Sequence, residues 1–260
     1  MDDQSPTGSA DNPIKSVGTT ISIIEYLQDN EPERITRIAQ DLNLSKSTIH
    51  KHLATLRLHD LVVRDQKQYR LGMRFLDFGG YVREQVQGSR IIKKAARGLA
   101  DQTGETVQYM IEEGGRTVIL YLEAGEQGVF TKSRVGRRFY LNQTAAGKAI
   151  LAYMDDRDRE QVLEEYGLPR ATENTVTDRD DLISELKQIR EDGVAYNYGE
   201  RTVGLYAISV PIIGSRRGVI GAISVAGPSE RINDDERRKT ISKKLKETSS
   251  ELSLKLSHME

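Results

Sequence analysis

Residues 42–62, "LNLSKSTIHKHLATLRLHDLV", gather Lys46, Ser47, Thr48, His50 and Lys51 at the start of an amphipathic helix. These side chains suit duplex DNA: cations and hydroxyls reach phosphate, and small residues let a helix approach the major groove until donors meet base edges. The free backbone N–H groups of a helix start also suit phosphate. A plainer reading stands beside this one, because Ser-Lys-Ser-Thr also describes a well-capped helix start with solvated lysines. A second stretch, "NQTAAGKA" at 142–149, offers different chemistry. Thr144 can cap a helix whose first residues, Ala145, Ala146 and Gly147, leave the backbone N–H groups open to a carboxylate. Small residues there would equally permit tight helix–sheet packing, and the lone Gly-Lys lacks the spacing and hydroxyl of a phosphate-binding P-loop.

Catalysis is disfavoured. The chain has no cysteine, and its four histidines are His50, His52, His59 and His258, so residues 60–257 hold neither a thiolate nor an imidazole. The common nucleophile–base pairs and His-ligated metals are excluded from that region. Paired carboxylates occur at Glu112-Glu113, Asp155-Asp156, Asp180-Asp181 and Asp234-Asp235. Three of these pairs fall at expected helix starts, where negative charge favours the helix dipole. We expect no catalytic residue, no metal and no cofactor.

The elements that would position the cationic cluster can be read around it. Val17, Ile21, Ile24 and Leu27 recur at helical spacing, and Asp29-Asn30-Glu31-Pro32 ends that helix. A short second helix follows, with Thr36 as its N-cap and Ile38, Ala39 and Leu42 as its buried stripe, and Asn43 takes the left-handed conformation of a tight turn. Ser45 caps the third helix, whose core face is Ile49, Leu53 and Leu56. Ser47, Lys51 and Ala54 lie opposite. "LVVRDQKQYRLG" then reads as two strands around Asp65-Gln66-Lys67, a hairpin with a basic tip carrying Arg64 and Lys67. Helix, helix, turn, helix and basic hairpin is the order of a winged helix-turn-helix.

Residues 73–87 continue with Phe75, Leu76, Gly79, Val82 and Val86, a linker helix with a side to bury. From "RIIKKAARGLADQTGE" a second unit begins. Its expected strands are "TVQYMI", "TVILYL", "VFTKSRV", "LYAISVPI" and "GVIGAISVAG". Helices fit at "AAGKAILAYM", "DREQVLEEYG", "DDLISELKQIRE" and "NDDERRKTISKKLKETSSELSLKLS". Gly-rich breaks between adjacent strands indicate a mainly antiparallel sheet flanked by helices, an α+β sensor-like domain.

The 260 residues suit two domains, with one larger domain as the alternative. Charge nearly cancels, 38 basic against 39 acidic, so its distribution matters more than its sum. Between Ser45 and Phe75 stand seven basic residues and two acidic ones. That block is positive inside a neutral chain. No apolar run reaches the roughly 18 residues of a membrane span, and "MDDQSPTGSADNP" lacks the regions of a signal peptide. A cytoplasmic protein with no membrane partner is expected.

The chain resembles the IclR family of transcriptional regulators over nearly its whole length from Ile14. In the reading head the resemblance rests on "IKSV", "RIAQDLNLSKSTIHKHLATL" and "YRLG". In the second unit it rests on "SRVGRRFYLNQTAAGKAILAYM", "EDGVAYNYGERTVGLYAISVPI" and "GAISVAGPSERI". It implies an N-terminal winged helix-turn-helix, a C-terminal GAF-like effector domain, a homodimer or tetramer, and operator affinity modulated by a small organic acid. The expected division is a disordered tail at 1–13, the DNA-binding domain at 14–72, a linker helix at 73–89 and the effector domain at 90–260. Carried over by position, effector contacts fall on the main-chain nitrogens of Ala145 and Ala146, and on Asn197, Leu205, Ala207, Ser224 and Ala226. Thr131 and Phe139 complete the apolar wall. Some members have an acidic residue where this chain has Asn197 and a hydroxyl where it has Ala226, so the site is less acidic and less polar than theirs. Asn197 could donate to a carboxylate that an Asp would repel. Asn43 replaces a glycine common in the turn, at little cost. The alternative function is a DNA-binding regulator or architectural protein without ligand response.

Overall fold

Residues 12–30, 32–129, 133–215 and 218–259 are described by the computed structural model of the chain. Residues 1–11 of the expected tail lie outside them. The chain divides into two units between Gln85 and Val86, inside the stretch read as a linker helix.

In the first unit α1 (Lys15–Asn30) buries Ile23 and Leu27, so of the spaced set Val17, Ile21, Ile24 and Leu27 only Leu27 is fully buried, with Ile24 packed against the core. Val17 and Ile21 are about half exposed. The run "ISII" offers isoleucines on adjacent faces, so periodicity alone left the facing side ambiguous. A two-residue strand β1 (Glu33–Arg34) leads directly into α2 (Ile35–Asp41). Thr36 is therefore inside the helix and is not its cap; Arg34 stands at the cap position without a side-chain bond, its backbone extended because it pairs with Gln68. Asn43 adopts φ +52° in the following turn. Next come α3 (Lys46–Leu58), β2 (Val62–Asp65) and β3 (Gln68–Leu71), which complete an antiparallel sheet in the order β1-β3-β2. Asp65 pairs with Gln68, so the hairpin turn is Gln66-Lys67, one residue shorter than read, with Gln66 at φ +53°. Ile23, Leu27, Ile38, Ile49, Leu53, Leu56, Val62 and Tyr69 form the core. The last helix, α4 (Arg74–Glu84), buries none of its residues.

The second unit opens with α5 (Ser89–Thr103), β4 (Thr106–Glu113), β5 (Arg116–Ala124) and β6 (Arg138–Tyr140). Helices α6 (Ala145–Tyr153), α7 (Asp156–Tyr166) and α8 (Arg179–Asp192) follow. Strands β7 (Ala195–Tyr198), β8 (Leu205–Gly214) and β9 (Gly218–Pro228) then lead to α9 (Ser229–Ile232) and α10 (Asp235–Ser257). The six strands pair antiparallel in the order β6-β5-β4-β9-β8-β7. "VFTKSRV" is not a strand in its described part. Val129 and Ser133–Val135 are irregular, residues 130–132 lie outside the described set, and the third strand falls at Arg138–Tyr140 instead.

Strand alternation splits the core into two layers. Val107 and Tyr109 of β4 and Ile223 and Val225 of β9 face α5 and α10, meeting Ile92, Leu99, Ile241, Leu245 and Leu252. Met110 and Ala222 point the other way, to α6 and α8, where Ile150, Leu151, Leu182, Leu186 and Ile189 pack. The acidic pairs have structural roles here: Asp155 and Asp234 cap α7 and α10, and Asp178 caps α8 ahead of Asp180 and Asp181 in its first turn. Among the described residues no helix is long and apolar enough to cross a membrane.

Candidate functional site

Helix α3 is oriented by its buried side. With Ile49, Leu53 and Leu56 in the core, Lys46, Ser47, His50 and Lys51 are exposed and Thr48 is half-buried. The cap is a small network: Ser45 Oγ accepts from the Thr48 backbone N–H at 3.0 Å and lies 2.9 Å from Ser47 Oγ and 2.8 Å from Thr48 Oγ1. Two of the hydroxyls read as DNA contacts thus also hold the helix start. The lysines and His50 stay clear of it. At the other end Arg74 donates to the carbonyl of His59 at 2.6 Å, a cation at a helix C-terminus, so it belongs to the scaffold of the basic block. Arg64 and Lys67 are both exposed on the wing; the Arg64 Nε donates to Gln66 O at 2.8 Å and its guanidinium lies 5.9 Å from the Tyr69 ring centre.

In the second unit the start of α6 is pressed onto the sheet, and Ala145–Ala152 are all buried. Thr144 caps it, its Oγ1 accepting from the Gly147 N–H at 2.9 Å. Gly147 is required by the close approach: a Cβ there would lie 2.1 Å from the Leu141 carbonyl oxygen. Below the helix start, register aligns small and amide residues across four strands. Asn197 pairs with Ala207, Ala207 with Ala226, and Ser224 with Gln108. The small side chains leave a cavity of about 60 Å³. Phe139, Ala145, Ala146, Asn197, Leu205, Ala207, Ser224 and Ala226, each expected there, all line it, and Thr131 lies outside the described residues.

The cavity also holds groups that sequence reading missed, among them Gln108, Ser133, Arg201 and Thr202. Gln108 is 8% exposed, and its side-chain amide makes no hydrogen bond to the described residues. Its place in "TVQYMI", in phase with Met110 and out of phase with Val107 and Tyr109, was the available signal. Arg201 places its guanidinium carbon 5.2 Å from the Phe139 ring centre, bringing a cation to the wall. Among the described residues no Asp or Glu lines the cavity. Asn197 is less free than its amide suggests. It donates from Nδ2 to Gln143 O at 2.8 Å and accepts from the Glu200 N–H at 3.2 Å, which leaves one N–H for a ligand.

Behind the site, the lysine of "AAGKA" is fully buried between two carboxylates, Nζ lying 2.6 Å from Glu185 Oε1 and 2.7 Å from Glu200 Oε1. Burial pushes the Glu200 carboxyl above its ordinary range, while the charge and hydrogen bond of Lys148 pull it back. Thr172 and Thr175 donate to the Glu200 carbonyl at 3.1 and 2.6 Å, fixing the loop that carries Arg201 and Thr202.

Comparison with known proteins matches residues 16–66 to the IclR helix-turn-helix domain and residues 85–254 to the bacterial transcriptional regulator IclR C-terminal domain. The chain is 32% identical over 230 residues to the HTH-type transcriptional regulator XynR of Escherichia coli, covering 86% of this chain and 90% of that one. It is also similar to the crystal structure of the Thermotoga maritima IclR, with a TM-score of 0.79 and 27% identity over 94% of this chain and 99% of the other. An IclR homologue from Microbacterium hydrocarbonoxydans, complexed with 4-hydroxybenzoate, shares the fold at a TM-score of 0.72 and 23% identity, over 93% and 98% of the two chains.

Proposed function

The chain belongs to the IclR family of transcriptional regulators, which are not enzymes, and from that premise we propose that it grips operator DNA with α3 and its wing while a small organic acid, held at the start of α6, modulates the grip. The observation that carries the reading is α3 itself, whose exposed face presents Lys46, His50 and Lys51 beside a wing bearing Arg64 and Lys67. Ser47 and Thr48 complete the contact set, close enough to the helix start to meet phosphate with hydroxyl and backbone N–H together. A homodimer, alone or paired into a tetramer, sets two such helices into successive major grooves of a near-palindromic site.

The effector reading rests on chemistry. The cavity joins the N-terminal end of a helix, a nearby guanidinium and the unpaired Gln108 amide to an apolar floor with no acidic side chain. Such a site favours an anion over a cation. Coupling of about 1–3 kcal/mol between the sites changes operator affinity about 5- to 150-fold.

One titration tests both halves. The operator is selected from genomic fragments, and its affinity is measured by fluorescence anisotropy with and without a panel of small carboxylates. Lys51→Ala is expected to weaken operator binding by about 1–3 kcal/mol and leave the effector response intact. Ala146→Phe, which fills the cavity, is expected to keep operator binding and abolish the response. Unchanged affinity in the first variant sinks the reading head, and an unchanged response in the second sinks the cleft.

A further inference from the structure

On the sheet face opposite the cavity, α5 and α10 leave a groove of about 560 Å³ between them. Ile91, Ala95, Gly98 and Gln102 line it from α5, and Thr248 and Leu252 from α10. Each set follows the spacing of one helix stripe. The composition of the two helices is lopsided. Together they carry eleven Lys and Arg against five Asp and Glu, an excess of six in a chain whose total charge is close to neutral. At the rim Arg90 stands free of any ion pair among the described residues, and Lys94 has no close one, although its charge reaches Glu251, which bonds to Lys255.

Gly98 adds an independent clue. A glycine inside a helix costs stability relative to alanine, and it is usually kept where something approaches the backbone closely. Among the described residues nothing does so: a Cβ built at Gly98 meets no atom within 4 Å, as is also the case at the helical glycines Gly18, Gly79 and Gly80. At Gly98 that open space lies in the groove.

We propose that the α5–α10 groove is a docking site for an acidic amphipathic helix of another protein. A third helix laid between two others buries its apolar anchors at i, i+3, i+4 and i+7 spacing on the half-buried Ile91 and Ala95, approaches closely at Gly98, and sets flanking carboxylates against Arg90 and Lys94. Symmetric pairing of two copies through this face would oppose like charges, which disfavours a second copy as the occupant. Duplex phosphates would meet the rim but leave the apolar floor uncovered. The proposal is independent of the effector reading, which concerns the other face of the sheet.

The probe is a fluorescein-labelled peptide of about 20 residues, with leucines at helical a and d spacing and glutamates elsewhere, titrated with the full-length protein. Its counterpart replaces every glutamate with lysine, and a labelled duplex of unrelated sequence is the third probe. We expect saturable binding of the acidic peptide, at least about tenfold tighter than the basic one. Gly98→Trp, which fills the groove, and the pair Arg90→Glu with Lys94→Glu are each expected to weaken it by at least about tenfold. Gly98→Ala is expected to raise the melting temperature of the effector domain by about 2–4 °C. Should Gly98→Trp fail to fold, the charge-reversed pair on the exposed rim decides. The proposal is overturned if the acidic peptide has no preference over the basic one, or if its affinity ignores these substitutions. It is also overturned if the charge reversal weakens only the duplex, if Gly98→Trp dissolves a self-assembled species in sedimentation, or if Gly98→Ala lowers the melting temperature.

Discussion

Replacing Lys148 with methionine isolates the electrostatics beneath the cavity at the start of α6, because the two side chains are similar in length and only the charge and its hydrogen bonds are lost. Lys148 is fully buried and bonds to Glu200, which is 5% exposed, and to Glu185, whose side chain is 31% exposed. The Glu185 contact is partly screened by water and contributes little on its own. The Glu200 contact dominates, since removing one partner of a buried pair strands the other charge, and we expect a loss of about 3–5 kcal/mol at neutral pH. For a domain of this size that lowers the melting temperature by roughly 6–20 °C. The loss depends on pH with a defined sign. Burial already raises the Glu200 carboxyl in the folded state, so its contribution is fully present below the unfolded pKa and is lost as pH rises through the folded one. Without Lys148 the two largest influences that hold that carboxyl down vanish, leaving only the Tyr198 backbone N–H, so its folded pKa climbs further and more stability is lost as the solution passes from acid to neutral. Urea denaturation of parent and variant at about pH 5 and about pH 8 checks this, and the difference between them should be larger at the higher pH. Adding Glu200→Gln to the variant should recover part of the loss at the higher pH. A loss below about 1 kcal/mol, or one equal at both pH values, refutes the reasoning.

Gly147→Ala should destabilise the effector domain by about 3 kcal/mol, the upper end of overpacking, since the added carbon would sit 2.1 Å from a main-chain oxygen that cannot rotate away; a thermal melt unchanged within error contradicts it. Ser45→Ala should cost about 1 kcal/mol, seen as faster native-state hydrogen exchange across α3, because the hydroxyl that accepts from the Thr48 N–H is gone. Asn197→Asp should cost about 1–3 kcal/mol at neutral pH by denaturation, because it faces the Gln143 carbonyl with an acceptor in place of a donor. Protonation restores a donor, so that loss should shrink in acid.

The reading head was legible because its information is local. Ser45 as cap, Asn43 at positive φ and the buried triad Ile49, Leu53 and Leu56 all follow from spacings within a few residues, and the structure has each of them. Where it misled, the missing piece came from a distant strand. Thr36 is a good cap residue, but pairing of Arg34 with Gln68 starts the helix two residues earlier and leaves that hydroxyl inside it. The same holds for the sheet. The long strands β4, β5, β8 and β9 have apolar runs of their own, whereas β6 and β7 are three and four residues long, lie at the two edges, and exist because β5 and β8 are there to pair with them.

The cavity divides along the same line. Ala145, Ala146 and Gly147 announce a helix start that leaves room, which composition alone can say, and the resemblance supplied Asn197, Leu205, Ala207, Ser224 and Ala226. What neither supplied is the network around Lys148, whose partners are 37 and 52 residues away in sequence. No period or motif encodes such a pairing, and a Gly-Lys dipeptide invites comparison with phosphate loops before it suggests a buried ion pair. Asn197 shows why this matters for the ligand. Its amide holds Gln143 at the helix start and Glu200 in the facing loop, and Glu200 holds Lys148 in α6. Asn197 therefore belongs to the frame of the cleft as well as to its lining. A ligand that takes up its remaining N–H touches the same chain of bonds that fixes the loop bearing Arg201 and Thr202.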